Sequence, residues 1–399
     1  MYSTFLAACL AGVGLSLQIE STLELPDTTP AFNFAQATAV SSTVCQRTAD
    51  RNKAAVPDFY SLYAGSTAFS DTTFAHTSKD VFAWADAKET DTVSSSTMVW
   101  KRASEVFSDH TLFGSKGVTP QDMRQGSIGN CWFISAASAL SEVPGRVEKL
   151  FLNANNEVSK AGIYAVNFYT LGVPHTVVVD DWLPLQSTNS GYAGVYARPS
   201  GDKAIYGPIL EKAFAKYHGN YSHIVGGDAK VALKTLYGAP FSAYTHSKMT
   251  DDALWKVLED ADKNKDVIQT STASGSDTTQ NSVGLSMGHQ YTPLGVKKIT
   301  DDSGKEVRLV KVRNPWGTEK YKGDYSDNSK KWTSDAMRKR AGSVKANDGE
   351  FFMPINLYRK HFTDTSVSYN MDKVTSAHHL TLNGPKKQAG SSYYCATCS

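Results

Sequence analysis

Residues 125–132 read Gln-Gly-Ser-Ile-Gly-Asn-Cys-Trp, and this short segment constrains the chain more than any other. Two glycines make a loop, and the Ala-rich run from Cys131 to Val143 that follows reads as a helix stopped by Pro144-Gly145. Cys131 therefore falls at a helix N-terminus. Unpaired N–H groups there carry partial positive charge, which stabilises a thiolate and lowers the thiol pKa. Gly126 and Gly129 let a peptide approach the backbone closely. Gln125, six residues before the cysteine, can turn an amide N–H toward an oxyanion at an attacked carbonyl. Taken alone, Cys131 is better read as a buried cap on a core helix.

A cysteine nucleophile needs a base and a group that orients the base. Gly288-His289 lies 158 residues downstream of Cys131, at the start of a strand that follows a polar stretch, Thr270 to Ser282. Arg313-Asn314-Pro315-Trp316-Gly317 begins 24 residues after His289. An Asn side-chain oxygen accepts from one imidazole nitrogen and leaves the other facing the sulfur. Pro315 stiffens that turn, and Trp316 shields the His–Asn bond from water. The three fragments in this order are a far stronger signal than any one of them.

Around these fragments the pattern is helices first and strands later, which predicts an α+β protein in two lobes. Strands are expected at Tyr164–Phe168, Thr176–Val179 and Leu309–Val312. Helices are expected at Pro208–His218 and Asp252–Asp262. Lys and Arg total 41 against 39 Asp and Glu, a net charge of +2, which argues against a nucleic-acid partner held by a broad basic face. No apolar run reaches 18 residues, so no transmembrane segment is expected. The apolar stretch Phe5–Leu17 has the length of a signal-peptide core but no Lys or Arg before it, so it reads either as a signal peptide (1–17) or as a buried segment. The first reading implies secretion and the second a cytoplasmic protein. Residues 18–95 read as a linker or pro-segment and 371–399 as a polar tail. Cys395 and Cys398 have metal-knuckle spacing without a second half-site, so zinc is disfavoured.

The Cys-Trp helix, the Gly-His and the Asn-Pro-Trp-Gly resemble papain-type cysteine proteases, and more closely the protease core of the calpain family. Trp100-Lys-Arg102 with Glu105, Gly162-Ile163, Val177 to Pro184, Leu210 to Lys216 with Gly226-Gly227, and Asp348-Gly-Glu-Phe351 are also similar to that core. The likeness covers about residues 97–370. It implies a papain-like two-lobed catalytic core over 96–370, with lobe one about 96–235 and lobe two about 236–370. The resemblance also implies roles. Cys131 would be the nucleophile, His289 the base and later the acid, Asn314 the orienter, Gln125 part of the oxyanion hole and Trp316 the shield. Gly227 and Gly288 would line the groove that pairs with substrate backbone. The implied reaction is endopeptide hydrolysis of protein or peptide substrates through a thioester, with no organic cofactor. The alternative is a catalytically inactive binding protein of the same fold.

In that family calcium bound to each lobe helps align the lobes. Asp122 in lobe one and Asp327, Asp348 and Glu350 in lobe two match acidic ligand positions, whereas Lys320 stands where an acid is usual and no clear second acid appears in lobe one beyond nearby Asp202. Calcium dependence is therefore expected only if the remaining acids suffice. Asn130 replaces the family's usual Asp before the nucleophile. Asn220-Tyr-Ser222 would be a glycosylation acceptor if the chain is secreted.

Overall fold

A computed structural model describes residues 59–372, apart from 83–97, 108, 154–156, 171–172 and 190. The expected signal segment, most of the linker, the tail from 373 and Cys9, Cys45, Cys395 and Cys398 lie outside the described residues.

In chain order the first half carries α1 (Phe59–Ala64), β1 (Met98–Arg102), α2 (Ala103–Val106), α3 (Cys131–Leu140), β2 (Ile163–Thr170) and β3 (Val173–Asp180). β4 (Trp182–Thr188), β5 (Gly191–Gly194), α4 (Tyr206–Tyr217) and α5 (Ala229–Tyr237) complete it. The second half carries β6 (Phe241–Thr245), α6 (Asp251–Asn264), β7 (Val267–Ser271), β8 (Gln290–Thr300) and β9 (Glu306–Arg313). It closes with α7 (Asp335–Ala341), β10 (Glu350–Pro354), α8 (Ile355–His361) and β11 (Asp364–Ser368). Among the described residues no helix is long and apolar enough to cross a membrane.

The two halves have separate apolar cores. In the first, α3 is the centre. Its Ala-rich sequence has high helix propensity, and every residue from Trp132 to Leu140 is buried. A helix apolar on all sides must be covered on all sides. α4 covers one side, with Phe133 stacked on Phe214 at 4.2 Å between ring centroids. Lobe two covers another, where Thr292 Oγ1 of β8 donates to Ser135 O at 3.0 Å. Around this helix stand the β2–β3 hairpin and the sheet β1-β4-β5.

The second half is a six-stranded antiparallel sheet in the order β10-β9-β8-β7-β11-β6. Leu254 and Leu258 on one face of α6 pack with Tyr291, Val312 and Phe351 beneath it. Thr250 caps α6 by accepting from Ala253 N. The polar stretch after β7 is a closed loop. Gly288 N donates to Ala273 O at 2.7 Å, Met287 N to Thr279 O at 3.0 Å, and Asn281 Oδ1 accepts from the backbone of Val283 and Leu285.

Lobe one begins well before the expected boundary at 96. Phe59 packs with Ile163 and Ala165 of β2, and Phe74 and Val81 enter the main core. Asp71 N donates to Asp180 Oδ2 at 2.7 Å, and Lys216 Nζ pairs with Asp71 Oδ2 at 2.7 Å. The polar residues that read as linker are partners for buried charge, a role that hydropathy does not report. At the centre of that network Lys212 of α4 pairs with Asp180, both side chains fully buried, and also donates to Trp182 O at 2.7 Å. Removing one member of a buried pair strands the other charge, at a cost of ~3–5 kcal/mol. Lys212→Ala should therefore lower the unfolding free energy measured in urea by an amount of that order, while Lys256→Ala, which breaks the exposed pair with Asp260, should leave it unchanged.

Candidate active site

Cys131 is the first residue of α3, and His289 immediately precedes β8. Both line one cleft of about 290 Å³ between the lobes, together with Trp132, Gly227, Gly288 and Gln290. Asn314 follows β9, the strand paired with β8, so the sheet register brings it back to His289. His289 Nε2 and Asn314 Oδ1 are 3.1 Å apart. With Nε2 donating, the neutral ring keeps its lone pair on Nδ1, and that atom is buried without a hydrogen-bond partner. Trp316 packs on the His289 ring at 4.5 Å, and Trp316 N donates to Asn314 Oδ1 at 3.1 Å. The turn thus holds the orienting oxygen from both sides.

The two glycines have physical reasons. A Cβ on Gly227 would lie 2.4 Å from the Trp132 ring, which is fixed by its own Nε1 donating to Ile224 O at 2.8 Å. Gly288 has φ +54° and lies against Gly275 O, where a Cβ would come within 2.1 Å. Gln125 is buried behind the cleft. Its Nε2 donates to Ile128 O at 2.8 Å, leaving one amide hydrogen uncommitted. Asn130 donates to the buried Glu211 at 2.6 Å. An Asp there would set two buried carboxylates against each other, which accounts for the amide at this position.

The charge state of the resting pair differs from the sequence expectation. Burial pushes the Cys131 thiol up to about 11, although backbone N–H groups of Gln290, Trp132 and Cys131 itself pull the other way. Burial likewise pushes His289 down to about 4, against the upward pull of Asn314 and Asp277. The partial charge of a helix N-terminus is worth ~0.3–1 kcal/mol near the surface, less than the cost of burying a thiolate. Among the described residues no hydrogen bond joins Cys131 to His289.

The acids expected to hold a metal are divided. Asp122 Oδ2 is engaged by Thr119 N at 2.9 Å and Thr119 Oγ1 at 2.7 Å. Asp202 accepts from Ser115 N at 2.9 Å, so the second lobe-one acid does reach the Ser115 turn. Glu350 pairs with Lys311 and Gln121, and its N–H donates to Asp348 Oδ1 at 2.9 Å. Glu319, unassigned from sequence, lies beside Asp327. Asp327 N donates to Glu319 Oε1 at 3.2 Å. Burial first, then the charges of Asp327 and Asp348, push the Glu319 carboxyl up to about 7. Such crowding is what a cation would relieve. Lys320 is exposed and forms no ion pair with these acids. Among the described residues no three His, Cys, Asp or Glu side chains are drawn together closely enough to hold a metal as they stand. Asn220 is buried, with Oδ1 accepting from Ser222 Oγ and His223 N, so it does not present an amide for glycosylation.

Sequence reasoning also missed Asp228, Ser271 and Asp364 in the cleft, and Arg313 behind it. Arg313 has a role in sequence only as the residue before Asn314; the other three reach their places through strand order or lobe packing.

A family model described as calpain family cysteine protease matches residues 69–369. Calpain-14 of Homo sapiens is 34% identical over 267 residues, covering 66% of this chain and 38% of the relative. Calpain-5 of Caenorhabditis elegans is 30% identical over 366 residues, covering 80% of this chain and 55% of the relative. The calpain-type cysteine protease DEK1 of Zea mays is 30% identical over 280 residues, covering 67% of this chain and 12% of the relative. The chain spans about half or less of the length of these relatives.

The buried imidazole sets a pH dependence. His289 titrates near 6.5 when unfolded and near 4 when folded. Between those values the unfolded chain binds the extra proton, so stability present above pH 6.5 is lost as pH falls toward 4, by up to ~3 kcal/mol. Urea unfolding should show that loss, reduced in His289→Gln. Alkylation of Cys131 in the resting chain should accelerate with pH toward about 11 and show no plateau near neutrality.

Proposed function

The chain belongs to the calpain family of cysteine proteases, and on that footing we propose that it is a cysteine endopeptidase using Cys131, His289 and Asn314. The observation that carries the reading is the Nε2–Asn314 bond, which leaves His289 Nδ1 as the free base in the cleft that holds Cys131.

Nδ1 takes the thiol proton as the two groups close on each other. The sulfur then attacks the scissile carbonyl, and the oxyanion is met by Cys131 N–H and the uncommitted amide hydrogen of Gln125. The imidazolium returns its proton to the leaving amine, and a thioester remains. Water, deprotonated by the same Nδ1, attacks the thioester and frees the acid and the thiol. Asn314 keeps the ring in one tautomer throughout, and Trp316 keeps water from that bond. Gly227 and Gly288 line the same cleft, along which substrate backbone would run. We further propose that Glu319, Asp327 and Asp348 hold calcium, with Asp122 and Asp202 near the Ser115 turn in lobe one. Bound there, the ion would supply the positive charge that these carboxylates lack and draw them together.

A binding protein of the same fold is the competing reading, favoured only by the missing hydrogen bond between Cys131 and His289. Peptide hydrolysis with calcium and with a chelator, using Cys131→Ala as the blank, separates the two. The expected result is turnover abolished in Cys131→Ala, raised by calcium, and lowered ~10²-fold or more in kcat by Asn314→Ala. A folded chain that neither hydrolyses peptides nor is labelled at Cys131 by a thiol-directed epoxide would establish the binding protein instead.

A further inference from the structure

The cleft beside Cys131 has one wall built where β7 meets β11. Asp364 at the start of β11 is the register partner of Ser271 at the end of β7, and both residues line the cleft. Ser271 Oγ donates to Asp364 Oδ2, and Thr363 Oγ1 donates to the same oxygen at 2.9 Å. The carboxylate is thus fixed in orientation, while its other oxygen accepts no hydrogen bond from any described residue. Hydroxyl groups orient a carboxylate without neutralising it.

The other acid of the wall is differently placed. Asp228 caps α5 by accepting from Lys230 N and is paired with Lys230 Nζ at 2.9 Å, so its charge is met within the chain. No described Lys, Arg or His is ion-paired with Asp364. Arg359 on the neighbouring helix α8 turns to Asp251, and buried His246 is spent on Phe362 O and Thr365 Oγ1. Asp277 in the loop over the cleft adds a second negative charge near Cys131 and His289. The chain as a whole is slightly basic, yet its cleft is acidic.

We propose that Asp364 is the specificity-determining residue of this cleft, selecting peptides that place a lysine or arginine side chain against its unpaired oxygen. The proposal rests on the reading that the cleft takes a peptide. A partly enclosed carboxylate attracts a substrate ammonium or guanidinium and repels a substrate acid, which separates substrates by charge at one position.

The test uses peptide mixtures with Lys, Leu or Glu fixed in turn at each position around the scissile bond. It reads kcat/KM on the active chain and Kd on the Cys131→Ala chain. At one position Lys should exceed Glu by about 10- to 100-fold. Asp364→Asn keeps an acceptor for Ser271 and Thr363, so it should fold normally and lose that ratio at that position alone; Asp364→Lys should invert it. Equal use of Lys, Leu and Glu at every position, or a Lys preference that survives in Asp364→Asn, would overturn the proposal. A chain without turnover whose Cys131→Ala form still binds Lys peptides through Asp364 would overturn the peptidase reading and support this one.

Discussion

Arg313 carries a guanidinium into an interior where no carboxylate bonds to it. It is wholly buried, and its hydrogens go to Met123 O at 2.9 Å, Gln121 O at 3.3 Å and Ser138 Oγ at 3.3 Å, all across the lobe boundary. Taking that charge out of water is costly, and the first lobe's carbonyls, the Ser138 hydroxyl and the nearby charge of Glu350 offset part of it. The bond from Gln125 N to Pro315 O, 3.0 Å, runs beside it. Asn314 is the residue between Arg313 and Pro315. Asn314 Oδ1 itself is held within lobe two by His289 Nε2 and Trp316 N, while the backbone on either side of Asn314 is anchored across the lobe boundary.

The same burial governs the reacting groups. A thiol held up near 11 and an imidazole held down near 4 are both neutral over the physiological range. The resting cleft thus stores no ion pair. The charge separation that a nucleophilic sulfur requires arises when the groups meet and each stabilises the other's charged form. Glu319 and Asp327 follow the Asn314 turn, with Asp327 N bonded to Glu319 Oε1 and Glu319 N to Asn347 Oδ1.

The motifs around Cys131, His289 and Asn314 were legible because each combines turn chemistry with a reactive side chain inside a few residues. The elements that carry them were legible for a related reason. α3 is an unbroken Ala-rich run, α4 repeats apolar residues at helical spacing, and β9 is rich in β-branched residues; their observed bounds differ from the expected ones by a few positions. The segment 69–82 was not legible, because Asp71 earns its place by pairing its carboxylate with Lys216 and its backbone N–H with the Asp180 carboxylate at the end of β3. Glu319 was missed for a similar reason: a position counted along the chain pointed to Lys320, while the turn aims the preceding residue inward.

The sequence by itself determined the chemistry: a cysteine at a helix start, a histidine after a glycine, an asparagine locked by proline and shielded by tryptophan. Those are local facts, set by backbone geometry and neighbouring side chains. Only the tertiary structure decided that the thiol rests neutral, that Glu350 serves Lys311 and Gln121, and that Asp364 faces the cleft without a counter-charge. Desolvation and charge pairing depend on what surrounds a group in three dimensions. Here the surroundings come from residues up to hundreds of positions away, which no local pattern encodes.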